Sequence, residues 1–277
     1  MGSIRNELRE YGLVPRKRLG QHFLVDRNIL EKIVQTARVG KEDVVLEVGP
    51  GLGEMTRALA CEARRVIAVE IDARLAAVLK EKFRETPNVE VVRDDVLKVD
   101  FKKLFEREDL PVKAVANLPY QISTPLLFRF IQSRRIFSTL TLMLQREVAE
   151  RMVALPGKKE YGPLSVFIQS FLDLSICFRV KPSAFHPPPR VESAVVHLLW
   201  KEKPAVEPEE EEWFKRVVRG SLGYRRKTLV NALKHSGLPL RPLFEKAIEK
   251  IGIDLQRRPE TLSITEFVQL AKVLEAS

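Results

Sequence analysis

The sequence predicts an α/β fold with a mixed sheet of about seven strands, followed by a small all-helical domain. Two observations support this. From Val44 to about Trp200, short runs rich in Val, Ile and Leu alternate with amphipathic stretches, as strands and helices do in a largely parallel sheet. Beyond Trp200, the apolar residues have helical spacing. We therefore expect a sheet domain over residues 1–200 and a helical domain over residues 201–277.

Seven apolar runs account for the strands of the predicted sheet. The first five are predicted as successive strands: VVLEVG, VIAVE, VEVV, VKAVAN and TLTLML. Two more lie around Ile176 (SICFRV) and Val195 (SAVVHLLW), with only the loop KPSAFHPPPRVE between them. Their proximity predicts an antiparallel pair added to the edge of the sheet.

A charged, proline-containing segment (KEKPAVEPEEEE, residues 201–212) marks the predicted domain boundary. Four segments after it have helical spacing: WFKRVVRGSL, KTLVNALKHS, LFEKAIEKIG and TEFVQLAKVL. The acidic run from Glu209 to Glu212 has two interpretations, a cation site or the N-terminus of the helix around Trp213. We favour the helix N-terminus, because carboxylates are stabilised there by the helix dipole.

Composition and charge narrow the class of partner and exclude several kinds of site. The chain has 277 residues, a formal charge of +10 and a pI near 9.6, which indicates a polyanionic partner, with nucleic acid as the leading candidate. Cys61 and Cys177 lie far apart and outside any Cys/His cluster, which argues against a disulfide scaffold or a metal site and predicts two core thiols. The polar N-terminal segment and the lack of a long apolar run predict a cytoplasmic protein without membrane contact.

The glycine-rich segment EVGPGLG, residues 47–53, follows a predicted strand and leads into a predicted helix. Glycines at such a position let the backbone turn sharply and approach a ligand closely, so Gly49 and Gly51 are candidate cofactor contacts. The pattern is G-x-G-x-G and differs from the G-x-G-x-x-G of dinucleotide folds. It resembles the first motif of class I methyltransferases, which bind S-adenosylmethionine.

Polar residues lie at the ends of the next predicted strands and are expected to lie close to this glycine loop. Glu70 ends the second strand, Asp94 and Asp95 follow the third, and Asn117 follows the fourth. The carboxyl ends of parallel strands meet at one edge of a sheet, so these groups should share one pocket. We expect Glu70 to bind ribose hydroxyls and Asp95 to accept from the adenine amino group of the cofactor, with Val96 against its ring. The alternative for Asp94 and Asp95 is a strand-end cap or turn, and Asp94 is expected to be a solvated neighbour.

The tetrapeptide Asn117-Leu118-Pro119-Tyr120 places an amide and an aromatic ring at the end of the fourth predicted strand. The N6 amine of adenine is a poor nucleophile, because its lone pair is delocalised into the ring. Hydrogen-bond acceptors around the amine favour the localised form, and the Asn117 oxygen and a backbone carbonyl beside Leu118-Pro119 can supply them. Tyr120 would stack on the base. A proline-stiffened turn is the alternative interpretation of this segment.

Most of the chain resembles the KsgA-type ribosomal RNA adenine dimethyltransferases. The similar motifs are RLGQHFL from Arg18, EVGPGLG, NLPYQISTP from Asn117, MLQREVAERM from Met143, YGPLSV from Tyr161, PSAFHPPPRVESAVV from Pro182 and YRRKTLVNAL from Tyr224. The resemblance implies a Rossmann-like class I methyltransferase fold that binds S-adenosylmethionine. It implies cofactor contacts at His22, Leu24, Gly49, Glu70, Asp95 and Asn117.

Two aromatic residues acquire roles from this resemblance, each with an alternative. His22 stands where many bacterial members of the family have asparagine, and either side chain can bind the carboxylate end of the cofactor. His22 could instead cap the helix that begins near Asp26. Phe185 would face Tyr120 across the target base, or else it anchors its proline-rich loop in the core.

Basic clusters supply the expected RNA-binding surface. They are Arg16-Lys17-Arg18 and Arg225-Arg226-Lys227, the second at the start of a predicted helix. From Trp213 to Ser277 the chain has thirteen Lys and Arg against six Asp and Glu, which is +7 of the total +10. The helical domain is therefore the expected phosphate-binding part.

The resemblance implies dimethylation of the N6 amines of two adjacent adenines, in a 3′-terminal hairpin loop of 16S rRNA in the small (30S) ribosomal subunit. It also implies a role in ribosome biogenesis, and no obligate protein partner is evident from the sequence. One alternative is the Erm class, which methylates large-subunit RNA, although the motif YRRKTLVNAL favours the KsgA type. A second alternative is a non-catalytic assembly or nucleic-acid-binding factor, against which the full set of pocket residues argues.

Overall fold

The computed structural model describes residues 4–108, 111–207, 210–238 and 247–275. By its internal contacts the chain divides into two units, Met1–Ala149 with Leu174–Leu199 and Glu150–Asp173 with Trp200–Ser277. One division, at Trp200, lies next to the boundary predicted between residues 200 and 201. The segment Glu150–Asp173 groups with the C-terminal residues, which nothing in the sequence indicated.

Nine strands lie within the described residues. They are β1 (Phe23–Leu24), β2 (Val44–Val48), β3 (Arg65–Glu70), β4 (Val89–Arg93), β5 (Val112–Asn117), β6 (Phe137–Gln145), β7 (Leu172–Val180), β8 (Phe185–His186) and β9 (Ser193–Trp200). The helices of the same residues are α1 (Ile4–Glu10), α2 (Arg27–Ala37), α3 (Glu54–Glu62), α4 (Ala73–Lys82), α5 (Phe101–Leu104), α6 (Ser123–Gln132), α7 (Arg146–Val153), α8 (Pro163–Phe171), α9 (Glu211–Leu222), α10 (Leu229–His235) and α11 (Ile264–Glu275). Residues 247–250 are also helical.

The main sheet has seven strands in the order β4-β3-β2-β5-β6-β9-β7. Strands β2 to β6 pair in parallel, and β9 pairs with β6 antiparallel. The predicted mixed seven-stranded sheet is thus confirmed, with β9 and β7 as neighbours at one edge. Val48 in β2 is in register with Val69 in β3 and with Ala116 in β5, so the chain leaves all three strands at the same edge.

One apolar core packs α2 and α3 against the sheet. Ile33 of α2 and Leu59 of α3 are buried with Val45, Val66 and Val115 of the strands. Burial of these side chains accounts for the near-continuous apolar runs of the parallel strands.

A smaller apolar cluster holds the N-terminal helix α1, which the sequence did not predict. Leu8 of α1 is buried with Leu13, Phe23, Leu52 and Leu75. Lys82 of α4 forms an ion pair with Glu7 of α1. A helix of seven residues has little stability of its own, so its tertiary contacts stabilise it.

The second unit has its own aromatic core. The rings of Phe167 in α8 and Phe214 in α9 meet edge to face with centroids 5.7 Å apart. Tyr161, which is fully buried, donates a hydrogen bond from its hydroxyl to the carbonyl of Leu262 over 2.8 Å. These contacts are the physical reason why the segment that contains α8 groups with the C-terminal helices.

The acidic run before Trp213 begins a helix, as predicted. Glu211 and Glu212 occupy the first turn of α9, and Lys215 one turn later lies 3.5 Å from Glu212. Glu209 lies outside the described residues, as does the first part of the predicted helix LFEKAIEKIG. Carboxylates at this end of a helix are stabilised by its dipole.

The two cysteines are exposed, so the prediction of core thiols was wrong. Cys61 lies near the end of α3 on its solvent side, and Cys177 lies on an outward position of the edge strand β7, where exposed and partly buried residues alternate. Apolar neighbours along the chain do not reveal which face of an element a residue occupies. No helix of the described residues is both long and apolar enough to cross a bilayer.

Candidate active site

A cavity of about 310 Å³ opens at the edge of the sheet where β2, β3 and β5 end. Its volume is at the lower end of the range for small-molecule sites, about 300–1,000 Å³. Every residue predicted for catalysis or cofactor binding lines it: His22, Leu24, Gly49, Gly51, Glu70, Asp95, Val96, Asn117, Leu118, Pro119, Tyr120 and Phe185. Arg18, from the predicted RNA-binding group, also lines the cavity.

The glycine loop is shaped by close packing as well as by backbone conformation. Gly51 and Gly53 have positive φ angles of 62° and 85°. A Cβ atom on Gly53 would lie 2.6 Å from the ring of Phe83, and one on Gly51 would lie 3.1 Å from the ring of Phe23. A side chain at either position would therefore be strained by the backbone conformation and crowded by an aromatic ring.

Glu70 is a buried carboxyl at the end of β3, and it is tied to the glycine loop. One oxygen accepts a hydrogen bond from the backbone N–H of Asp72 over 2.8 Å, and the other accepts from that of Gly51 over 3.4 Å. Burial raises the pKa of Glu70 to about 7, although these N–H donors lower it. Such a carboxyl can accept hydrogen bonds from two neighbouring hydroxyls, which is the role predicted for Glu70 toward a ribose.

Asp72 anchors the site, and sequence reasoning missed it. Its carboxylate accepts a hydrogen bond from the side-chain amide of Gln21 over 3.2 Å and forms ion pairs with Arg74 at 3.0 Å and Arg16 at 3.5 Å. Burial raises the pKa of Asp72, but the Arg74 and Gln21 donors outweigh burial and hold it at about 2. The network joins the segment before His22 to the end of β3. Gln21 and Arg16 are some fifty residues away from Asp72 in sequence, so no local motif revealed the network.

The carboxylates after β4 differ in environment, as expected. Asp94 is exposed, whereas Asp95 is partly buried and Val96 is buried. One oxygen of Asp95 accepts from the N–H of Leu97 over 2.9 Å, so this side chain caps the turn as well as lining the cavity. The guanidinium of Arg129 donates to the carbonyl of Val96 over 2.8 Å and holds the turn in place.

The Asn117 side chain is oriented by the loop that contains His22. Its amide nitrogen donates to the backbone carbonyl of His22 over 3.2 Å, which leaves its amide oxygen as an acceptor. The Leu118 N–H donates to the Met143 carbonyl over 2.9 Å. The Pro119 carbonyl accepts a hydrogen bond from the backbone N–H of Ile122 over 3.1 Å.

Tyr120 lies against His22. Their rings are stacked with centroids 5.8 Å apart and planes 29° apart. The Tyr120 hydroxyl shares a 2.8 Å hydrogen bond with Ser193, and burial raises its pKa, so the phenol is neutral near pH 7. His22 Nδ1 lies 2.7 Å from the Pro187 carbonyl and donates to it, which leaves Nε2 for a ligand. Asp26, not His22, caps α2, so the alternative role of His22 as a helix cap was wrong.

Phe185 is 4% exposed and belongs to the same apolar core as α2 and α3, while its ring also borders the cavity. This burial agrees with the alternative in which Phe185 anchors its loop in the core. Its strand β8 pairs with β1, where Leu24 is opposite Phe185. Phe185 thereby places the backbone of Leu24 at the cavity.

The predicted RNA-binding residues lie in different environments. Lys17 and Arg18 are exposed, whereas Arg16 is partly paired with Asp72. In the second unit, Arg226 is exposed in the turn before α10, and the neighbouring Arg225 donates to the Lys159 carbonyl over 2.8 Å. That unit therefore groups five cations in two adjoining loops: Lys158, Lys159, Arg225, Arg226 and Lys227.

The family profile described as "Ribosomal RNA adenine dimethylase" matches residues 13–276. The chain belongs to this family. It is 46% identical over 271 residues to "Ribosomal RNA small subunit methyltransferase A" of Geobacter metallireducens, covering 97% of this chain and 98% of that one. It is 44% identical to the protein of the same name from Pelotomaculum thermopropionicum, covering 97% and 94%.

Solved structures agree with this family. A dimethyladenosine transferase from Plasmodium falciparum is similar with a TM-score of 0.77 and 29% identity, covering 90% of this chain and 96% of that one. The 23S rRNA methyltransferase ErmE is similar with a TM-score of 0.67 and 28% identity, covering 91% and 99%. This dimethylase is an S-adenosylmethionine-dependent enzyme that dimethylates adenine in ribosomal RNA, on the class I methyltransferase fold.

The cavity of the dimethylase fits that cofactor in shape and in charge. Five carboxyl groups line it, from Glu47, Glu54, Glu70, Asp94 and Asp95. Arg18 is the one Lys or Arg among the described lining residues. A surplus of carboxyls suits a cationic sulfonium ligand, and the glycine loop suits close approach.

Proposed function

We propose that this dimethylase modifies the N6 amines of two adjacent adenines, in a 3′-terminal hairpin loop of 16S rRNA within the small ribosomal subunit, and that it acts in ribosome biogenesis. The observation that carries the proposal is the meeting of Asn117 and Tyr120 with the glycine loop in one cavity. The names of the curated relatives, which specify the small subunit, support the choice of substrate.

The cofactor contacts follow from the donors and acceptors of the cavity. We assign Glu70 to the ribose hydroxyls, Asp95 to the adenine amino group and Val96 to the adenine ring. The backbones of Gly49, Gly51 and Leu24 form the wall of the site, and His22 Nε2 is available to the amino-acid end. When bound, the cofactor supplies a methyl group already activated by its sulfonium charge.

The adenine amine is held by two acceptors that do not move during the reaction. The Asn117 amide oxygen and the Leu118 carbonyl accept its two hydrogens and favour the localised lone pair. Pro119 stiffens this backbone, and the Tyr120 ring stacks on the base. No general base is required before transfer, because the acceptors orient the neutral amine, and the surplus proton of the methylated amine passes to the solvent afterwards. The rate then comes from alignment in a site that excludes water.

A base must leave its stack to reach such a cavity, and loop adenines leave at the lowest cost. We propose that Lys17 and Arg18 bind phosphates beside the cavity, and that the cationic loops around Arg226 in the second unit bind RNA backbone elsewhere. Arg16 has a mainly structural role in this proposal, because Asp72 already pairs with it. Phe185 acts by packing beneath the base site.

Large-subunit RNA is the second candidate substrate, since the structure of the 23S rRNA methyltransferase ErmE resembles this chain with 28% identity. The experiment that decides is transfer of radiolabelled methyl groups to small and large subunits from a strain that lacks the enzyme. We expect dimethyladenine in the small subunit. Label in the large subunit would assign the chain to the Erm class, and binding without label would leave a non-catalytic assembly factor.

The same assay with Asn117→Ala tests the catalytic site. Asn88→Ala is a matched control, because the Asn88 amide also holds backbone carbonyls, of Ala60 over 2.9 Å and Ala63 over 3.2 Å, but lies outside the cavity lining. We expect transfer to be lost in Asn117→Ala and kept in Asn88→Ala. Equal loss in both variants would mean that destabilisation, not catalysis, explains the effect.

A further inference from the structure

Glu47, the fourth residue of β2, has a buried carboxyl group to which the proposed reaction assigns no role. Glu47 is one of the residues around the cavity, and it is 0% exposed. Neither of its oxygens has a hydrogen-bond partner among the described residues. A buried carboxylate without a partner is costly, so such a group is normally neutral or awaits a cation.

Within the described part of the chain, no Lys or Arg forms a hydrogen bond with the Glu47 carboxyl. In the sheet it is in register with Ala68 of β3 and Val115 of β5, which are apolar. From α3 it faces the hydroxyl of Thr56, which also lacks a hydrogen bond of acceptable geometry. The other titratable or charged groups of the cavity are Arg18, His22, Glu54, Glu70, Asp94 and Asp95.

The charges of these neighbours favour the neutral acid. Burial raises the pKa of Glu47 to about 8, the Thr56 hydroxyl lowers it and the Glu70 carboxyl raises it. Asp72, beyond Glu70, is already paired with Arg74 and Arg16, and Glu54 lies 3.9 Å from Lys82. Before the cofactor binds, Glu47 is therefore mostly protonated at pH 7.

The cofactor and its product differ by one charge. S-adenosylmethionine carries a sulfonium, an ammonium and a carboxylate, whereas the demethylated product lacks the sulfonium charge and keeps the other two. A low-dielectric cavity amplifies the effect of such a difference on a nearby buried acid.

We propose that Glu47 is a specificity-determining residue that ionises when the sulfonium cofactor binds and takes up a proton again when the neutral-sulfur product remains. On binding, the O–H bond of the Glu47 carboxyl breaks and its proton passes to the solvent. After methyl transfer the sulfur is uncharged, so the carboxylate loses its counter-charge and is protonated from the solvent. The product is then held less tightly than the cofactor.

This inference rests on the cofactor site proposed above and makes a separate prediction about protons. Between the pKa of the empty site and the lower pKa of the occupied one, binding must release a proton, and affinity must rise with pH. At pH 7 we expect binding of the cofactor to release close to one proton more per protein molecule than binding of the product does. Cofactor affinity should rise by up to about tenfold per pH unit below pH 8 and level off above it.

Calorimetric titration in buffers that differ in ionisation enthalpy measures the number of protons directly. The cofactor and its product are each titrated into the full-length protein, so that their common ammonium group cancels in the difference. We expect this difference in wild type and in Glu62→Gln, a control whose carboxyl is exposed at the end of α3 and lies outside the cavity lining. In Glu47→Gln the difference should vanish, and the preference for the cofactor over the product should fall by roughly tenfold.

Equal proton release for the two ligands, or an unchanged difference in Glu47→Gln, would overturn the inference. If Glu47→Gln does not fold, difference infrared spectroscopy of the wild type decides, because binding of the cofactor should remove one protonated-carboxyl band and binding of the product should not. Cofactor binding that needs Asn117 and Glu70 but releases no proton would refute this inference alone. Cofactor binding that is unaffected by changes at both residues would refute the proposed site itself.

Discussion

The side-chain amide of Asn117 donates a hydrogen bond to the backbone carbonyl of His22, over 3.2 Å. Two segments that are 95 residues apart in sequence therefore fix each other at the cavity. The bond also decides which end of the Asn117 amide is available to a substrate, because the nitrogen is engaged and the oxygen is left as an acceptor.

Replacing Asn117 by Asp should uncouple substrate binding from catalysis. A carboxylate cannot donate to the His22 carbonyl, so the acceptor loses its orientation while the shape of the cavity is kept. We expect kcat for methyl transfer to fall by roughly 100-fold or more, with the KM for RNA changed by less than about threefold. Steady-state kinetics on small subunits measure both. A large rise in KM at unchanged kcat would mean that Asn117 contributes uniform binding only.

Replacing Gly53 by Ala should destabilise the protein through a steric clash in the glycine loop. The new Cβ would lie 2.6 Å from the Phe83 ring at a φ of 85°. We expect a loss of about 2–4 kcal/mol in the free energy of unfolding, measured by chemical denaturation. Gly12→Ala is the matched control, with a φ of 60° and no atom within 4 Å of the new Cβ, and should cost only about 1 kcal/mol. Equal losses would show that backbone strain alone matters.

Replacing Asp72 by Asn should produce a pH-dependent loss of stability. The pKa of Asp72 is lowered to about 2 in the folded state, so its contribution is present above the unfolded pKa near 3.8 and is lost as pH falls toward 2. We expect the variant to be less stable than wild type by about 2 kcal/mol at pH 7, with the difference shrinking between pH 4 and pH 2. Denaturation followed by circular dichroism at several pH values measures this. A difference that does not depend on pH would point to lost packing instead.

Replacing Arg226 by Gln should weaken RNA binding in a salt-dependent way. The residue is exposed, and each phosphate contact that is lost lowers the slope of log affinity against log salt by about 0.7–0.9. Lys272→Gln on α11 is the control in the same unit, since Lys272 is paired with Glu210 at 3.0 Å. We expect the slope to change for Arg226→Gln alone. Unchanged binding of small subunits would remove Arg226 from the proposed RNA surface.

The sequence predicted what depends on local pattern. Runs of β-branched residues located the parallel strands, and the glycine loop could be assigned because a sharp turn and close approach to a ligand both favour glycine. The gathering of Glu70, Asp95 and Asn117 followed from a general rule, since parallel strands end at one edge.

The remaining features depend on long-range packing, which no local pattern encodes. The pairing of Asp72 with Gln21 and Arg16 joins segments some fifty residues apart. The grouping of α8 with the C-terminal helices depends on the contact of Phe167 with Phe214, and the exposure of Cys61 depends on which face of α3 meets solvent. Whether the Phe185 ring would stack on a base or pack in the core could not be decided before the structure placed it in the core.

The pairing of β1 with β8 has a consequence for protein synthesis. Leu24 is made early and Phe185 late, yet the two are opposite each other in this small ribbon, and the Tyr120 hydroxyl meets Ser193, which is made later still. A nascent chain that has exposed only the glycine loop and the segment around Asn117 contains most of the residues assigned to the site. It still lacks the later strands that hold Leu24 and Tyr120 in place. The enzyme can therefore complete its cavity only after the ribosome has released about two thirds of the chain.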